Sequence, residues 1–201
     1  MRIIVIGATG TLGKAVVGAL SGRHEVVQVG HRGGEYQVDL AAKDSIERLF
    51  EMVAPFDAVV CAAGLAKFGA LEGLSDADFQ FSLGSKLMGQ VNVVRAGMAT
   101  IREGGSFTLT SGVLASEPTH GSAAISLVNA ALEGFARAAA LELPRGVRIN
   151  VISPPWVSET LVAMGRDGDA GMPAAQVARA YVESVEGSEN GEVLDARAYA
   201  Y

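Results

Sequence analysis

Short apolar runs alternate with amphipathic stretches from one end of this chain to the other. Candidate strands fall at 2–6, 25–30, 57–62, 105–110, 147–152 and 192–195, with a weaker one at 36–39. Apolar residues at helical spacing mark 11–21, 43–53, 76–101, 120–142 and 173–185. Strands such as Ile3-Ile4-Val5-Ile6 are apolar at every position, which suits a sheet covered on both faces. Strict alternation of the two patterns predicts an α/β fold, a doubly wound parallel sheet of about seven strands with helices on both faces. Right-handed crossovers then place any ligand at the carboxyl ends of the strands, where the strand order reverses. The chain, 1–201, reads as a single domain, a length that supports one substantial core. Its longest irregular region, 153–172, is rich in Pro, Gly and Ser, and 153–190 is expected to form a short lid over the ligand.

The first strand breaks directly into Gly7-Ala8-Thr9-Gly10-Thr11-Leu12-Gly13. Glycines at this spacing between a buried strand and a helix form a dinucleotide-phosphate cradle. Gly7 allows the tight turn, Gly10 the backbone approach to a pyrophosphate, and Gly13 close packing of helix on strand. The helix from Thr11 offers the phosphates its free N–H groups and positive dipole end. The fold is therefore expected to be Rossmann-like, with Thr9, Thr11 and Leu12 in the cradle.

Composition narrows the partners. Sixteen basic against twenty-two acidic residues give a net charge of −6, and no Lys/Arg cluster stands out, so nucleic acid and anionic membrane are poor partners. No apolar stretch approaches the ~20 residues of a membrane span. The start, Met1-Arg2, runs straight into a strand without signal-peptide character. One cysteine, Cys61, rules out an internal disulfide and fits a reducing compartment. A cytoplasmic location and no metal site are expected.

The order of motifs resembles the short-chain dehydrogenase/reductase family over nearly the whole chain. The glycine loop resembles the extended and atypical branches more than the main one. Asp39-Leu40 matches the Asp that touches adenine, and Cys61-Ala62-Ala63-Gly64 is similar to the Asn-Asn-Ala-Gly that supports the cofactor. Thr108-Leu109-Thr110-Ser111 ends a strand where the catalytic Ser belongs. Asn129-Ala130-Ala131-Leu132-Glu133-Gly134-Phe135 resembles the helix that starts with the catalytic Lys. Arg148-Ile149-Asn150-Val151-Ile152-Ser153-Pro154 is similar to the strand leading to the family's Pro-Gly turn.

The resemblance breaks at its chemical centre. The family uses Tyr-x-x-x-Lys, two residues on one helical face, the Tyr moving the substrate proton and the Lys lowering its pKa and binding the nicotinamide ribose. Here those positions are Ile125 and Asn129, and no tyrosine lies between Tyr36 and Tyr181. The family's Asn in the preceding helix, which holds a water in the proton relay, falls on Lys86. Asn and Lys thus look exchanged, and Lys86 is expected to reach the same small volume from the other helix; the plainer alternative is a solvated Lys86 and a drifted Asn129. Ser111 is expected to face the ligand, with its neighbour Thr110 structural. His120 is a candidate replacement acid, although a loop histidine is as readily a solvated residue. Cys61 is expected to pack behind the cofactor as a small apolar group. Trp156 and Thr160 follow Pro154-Pro155, and Thr160 and Pro154 are placed at the carboxamide end of the cofactor site.

The second strand ends Val29-Gly30-His31-Arg32, without the acidic residue that binds an NAD ribose. Arg32, assisted by His31, can clamp a 2′-phosphate, so NADP(H) is expected over NAD(H). Two functions follow. One is an NADP(H)-dependent oxidoreductase on a small carbonyl or alcohol, or on a flavin- or quinone-like acceptor, using Ser111, Lys86 and Asn129 in a non-standard site. The other is an NADP(H)-binding sensor without turnover. The phosphate loop argues against a purely structural role. Small residues on the two long helices (Gly84, Gly89, Ala123, Ala131 and Ala136) suggest pairing into a homodimer or homotetramer, or else close packing within one subunit.

Overall fold

The structure, a computed structural model, describes residues 1–200. Its elements are β1 (Arg2–Ile6), α1 (Thr11–Leu20), β2 (Glu25–Gly30), β3 (Tyr36–Gln37), α2 (Lys43–Val53), β4 (Phe56–Cys61), α3 (Asp76–Ser82), α4 (Gly89–Gly97), β5 (Ile101–Thr110), α5 (Ala123–Ala139), β6 (Arg148–Ser153), α6 (Ser158–Ala163), α7 (Ala174–Glu186) and β7 (Val193–Asp195). All strand pairs are parallel, and the sheet order is β3-β2-β1-β4-β5-β6-β7. The order reverses between β1 and β4, which is where the glycine loop emerges.

The sheet separates two apolar layers because successive strand residues point to opposite faces. Ile4 and Ile6 join Leu49, Phe50, Val93 and Leu132 on the face covered by α2, α4 and α5. Ile3 and Val5 join Val16, Leu20, Val177 and Tyr181 under α1 and α7. Arg148, at the start of β6, donates to the carbonyls of Ser184 and Val185 at the end of α7 and to Glu189, a cation satisfying helix-end acceptors. Among the described residues no helix is long and apolar enough to cross a membrane.

Three expectations need correction. The helical stretch 76–101 is not one helix. A wide turn of π type, Leu83–Met88, separates α3 from α4, and residues from Ile101 already belong to β5. No proline marks that break in the sequence, although such turns often sit at functional sites. The segment 153–172 is not irregular throughout. It contains α6, is tied back by a parallel bridge between Val157 and Met172, and uses the Glu159 carboxylate to accept the first N–H of α7. Finally, Gly89 and Ala136 serve packing within the subunit: Gly89 lies against Leu40, and Ala136 is fully buried in the core.

The centre of the sheet is more polar than its sequence pattern suggests. Thr108 shares a 2.7 Å hydrogen bond with Ser184 of α7, and the Thr110 hydroxyl donates to the Cys61 carbonyl at 2.7 Å and lies 2.7 Å from the Tyr181 hydroxyl. Beyond Cys61, β4 leaves the sheet while β5 continues to Thr110. Gln90 from α4 fills the missing strand: its side chain donates to the Thr110 carbonyl at 2.9 Å and accepts the Thr110 N–H at 2.8 Å. Both partners are buried. Replacing Gln90 with Leu leaves a buried N–H and C=O unpaired, and at about 1–3 kcal/mol for each orphaned group the protein is expected to lose roughly 2–6 kcal/mol. Urea denaturation measures this, and a loss below about 0.5 kcal/mol would show that the strand end does not depend on Gln90.

Candidate functional site

Two hollows lie along the carboxyl edge of the sheet. The larger, about 500 Å³, is lined by Gly7, Thr9, Gly10, Gly30, His31, Asp39, Leu40, Ala62, Ala63, Gly64 and Leu65, among others. The glycine loop that forms its floor has no room for side chains. Gly7 adopts φ +89°, and a Cβ there would stand 2.7 Å from the Ala62 carbonyl oxygen; a Cβ on Gly13 would fall on the Gly7 carbonyl. The space and the exposed N-terminal turn of α1 suit the adenosine and phosphates of a dinucleotide. Thr11 lies outside this hollow, in an open cleft with Gly10, Lys14 and Glu159. Leu12 packs into the core beneath α1.

Asp39 and Leu40 line the far wall, Asp39 being held by its own turn, where its carboxylate accepts the Ala41 N–H. His31 borders the same hollow. Arg32 is exposed, outside the lining, and its guanidinium has no hydrogen-bond or ion-pair partner among the described residues. Glu35, the next acid along the chain, accepts the Gln28 N–H at 3.0 Å and forms no ion pair with Arg32.

The smaller hollow, about 130 Å³, is lined by Ser111, Gly112, Ile125, Asn129, Pro154, Trp156 and Thr160, with mostly apolar neighbours. Pro154 and Thr160 thus belong here, apart from the phosphate loop. Ile125 carries no proton into this pocket. His120 is exposed and lines neither hollow. Tyr181 offers no substitute, because it is fully buried under the sheet and burial pushes its phenol above the ordinary range.

Lys86 and Asn129 bond consecutive carbonyls at the end of β5, Asn129 lining the smaller hollow and Lys86 lining neither. The Lys86 ammonium donates to the Ser111 carbonyl at 3.1 Å, and the Asn129 amide donates to the Gly112 carbonyl at 3.4 Å. The two residues approach consecutive carbonyls from opposite sides, one from the π turn and one from α5. The reason for the first contact lies in β6. The Ser111 N–H bonds to Ile152, so the register calls on residue 154 to donate to the Ser111 carbonyl. Residue 154 is proline and has no N–H. Lys86 supplies the missing donor. Burial lowers the Lys86 ammonium to about 8, and burial pushes the neighbouring Cys61 thiol up to about 12, leaving it a neutral apolar filler. The Asn129 Oδ1 is buried without a partner.

Ser111 is more occupied than its position suggests. Its hydroxyl donates to the Glu133 carboxylate at 3.0 Å, and the other Glu133 oxygen lies 3.6 Å from Arg137. Sequence reasoning passed over Glu133, although it follows Asn129 by one helical turn and so shares its face. A hydroxyl that gives its proton to a carboxylate presents lone pairs to the pocket.

Known proteins place this geometry. Residues 14–194 match the family model described as enoyl-(acyl carrier protein) reductase. The chain is 30% identical over 151 residues to 2,3-dihydro-2,3-dihydroxybenzoate dehydrogenase of Escherichia coli, covering 66% of this chain and 61% of that protein. It is 25% identical over 162 residues to 3-oxoacyl-[acyl-carrier-protein] reductase of Mus musculus, covering 78% of this chain and 65% of that one. The chain thus aligns with under two thirds of the length of these relatives. Among solved structures, the protein lin1944 from Listeria innocua superposes with a TM-score of 0.93 at 39% identity, covering 97% of this chain and 98% of that one. A small-chain dehydrogenase in complex with NADPH superposes with a TM-score of 0.85 at 25% identity, covering 97% and 95%.

Lys86 is expected to titrate near pH 8, well below the usual lysine range of about 10.4. Between those values the unfolded chain holds the extra proton, so this residue makes stability rise with pH from about 8 to about 10.4. Carbon NMR of the lysine ε-methylenes reads the titration directly. A Lys86 resonance titrating with the other lysines would refute the enclosed position.

Proposed function

The chain belongs to the short-chain dehydrogenase/reductase family, and within it we propose an NADP(H)-dependent oxidoreductase acting on a small carbonyl or alcohol, or on a flavin- or quinone-like acceptor. The convergence of Lys86 and Asn129 on the Ser111–Gly112 carbonyls carries this reading. It keeps a cation at the end of β5 although the helix that ordinarily bears it has none. Gly7, Gly10 and the N-terminus of α1 hold the pyrophosphate, Asp39 and Leu40 the adenine, and Ala62, Ala63 and Gly64 the central cofactor wall. Bound nicotinamide supplies or accepts the hydride.

The protein's share is positioning and the proton. Lys86 faces the ribose region, and Ser111, backed by Glu133, is the hydroxyl at the small pocket. With Ile125 in the tyrosine position, a positioned acid worth about 10²–10⁴ in rate is missing, equivalent to roughly 3–5 kcal/mol of barrier. Slow reduction, or reduction of acceptors that need little proton assistance, tolerates that loss. The same isoleucine favours a second reading, an NADP(H)-binding sensor without turnover. A cytoplasmic location and self-association through the α3–α5 side, where Phe81, Met88 and Leu127 are exposed, go with either reading.

Cofactor choice rests on the unpaired Arg32 and on Glu35, which is engaged with the Gln28 N–H. Arg32→Ala is expected to weaken NADPH by about 10–100-fold, the worth of a charge-assisted contact, and NADH by less than about threefold. Titration followed by nicotinamide fluorescence tests this, and equal losses would remove the NADP(H) assignment. NADPH oxidation across a panel of carbonyls, flavins and quinones separates the two readings: turnover of any one supports the enzyme, and binding with no turnover supports the sensor.

A further inference from the structure

Trp156, in the wall of the small pocket, has a second aromatic ring and a cation against it. Trp156 lines the pocket, Phe68 meets it edge-to-face with centroids 6.1 Å apart, and the Arg166 guanidinium lies 5.3 Å from the Trp156 ring centre. These rings are held by backbone contacts. The Gly69 N–H donates to the Gly121 carbonyl at 2.9 Å, pinning the Phe68 loop to the loop before α5, and the Met172 N–H donates to the Trp156 carbonyl at 2.8 Å. Phe68 nevertheless keeps 48% of its surface exposed. A fixed, exposed aromatic edge against a pocket-wall residue is contact area without a partner in the chain.

Arg166 is equally unpartnered. It forms no ion pair among the described residues, and the adjacent Asp167 is engaged with the Asp169 N–H at 2.9 Å. Its contact with the Trp156 ring uses none of its N–H groups in an ion pair, and these remain for an oxygen anion. Within the pocket, Val113, Leu114, Ile125 and Val157 make a largely apolar chamber of about 130 Å³. Apolar cavities of about 150 Å³ take up benzene.

Resting on the oxidoreductase reading above, we propose that the substrate is a single planar apolar ring bearing a carboxylate or similar anionic oxygen group. The ring rests against Trp156 and Phe68, and the anion meets Arg166.

Trp156 is the only tryptophan in the chain, so its emission reports on this pocket alone. The test is titration of the NADP⁺-loaded protein with benzoate, benzamide and acetate, followed by tryptophan fluorescence, with Arg166→Gln as the variant. Expected are a saturable response to benzoate, at least tenfold weaker binding of benzamide, no response to acetate, and a benzoate affinity about tenfold lower in the variant with benzamide unchanged. Equal binding of benzoate and benzamide, an unaffected variant, or no tryptophan response at all would overturn the proposal. NADPH affinity measured on the same samples keeps the two levels apart: if the cofactor binds and benzoate does not, the substrate class is wrong and the cofactor reading stands.

Discussion

β5 runs beyond the end of β4, and its neighbour β6 ends in proline, so the backbone of Thr110, Ser111 and Gly112 reaches the pocket with too few strand partners. Buried groups of this kind must be satisfied by something else. Gln90 takes both groups of Thr110, Lys86 takes the Ser111 carbonyl and Asn129 takes the Gly112 carbonyl. Lys86 and Gln90 are one turn apart across the junction of the π turn and α4, so that junction meets the same strand end twice. The geometry of the pocket floor follows from this repair.

Lys86, carried by the π turn, and Asn129, carried by α5, each donate to one carbonyl of this strand end. The cost is desolvation of the ammonium, visible in its lowered pKa. Position 125 is an isoleucine, which has no proton to give. The parallel sheet and the glycine turn after β1 are kept.

Much of this was legible in the sequence. Short, mostly apolar runs between helical stretches mark β1, β2, β4 and β6 to within one residue, and the glycine loop announced the cleft. Lys86 stood out from motif order; the roles of Gln90 and Glu133 were not legible, because their value lies in bonds to Thr110 and Ser111, twenty or more residues away, which no local period encodes. The split of 76–101 was hidden because no proline marks the π turn. The helix at 158–163 was hidden among prolines and glycines that mark its flanks, Pro154-Pro155 and Gly165, and not its interior.

The central claim is that Lys86 serves the cofactor from the helix opposite its customary place. A crystal structure of the protein grown with NADPH tests it most directly. The account predicts NADPH along the large hollow, with the Lys86 ammonium within hydrogen-bond distance of the nicotinamide ribose or of a water bound to it. Cofactor density with Lys86 directed away from the ribose, or a glycine loop left empty at saturating NADPH, would contradict it.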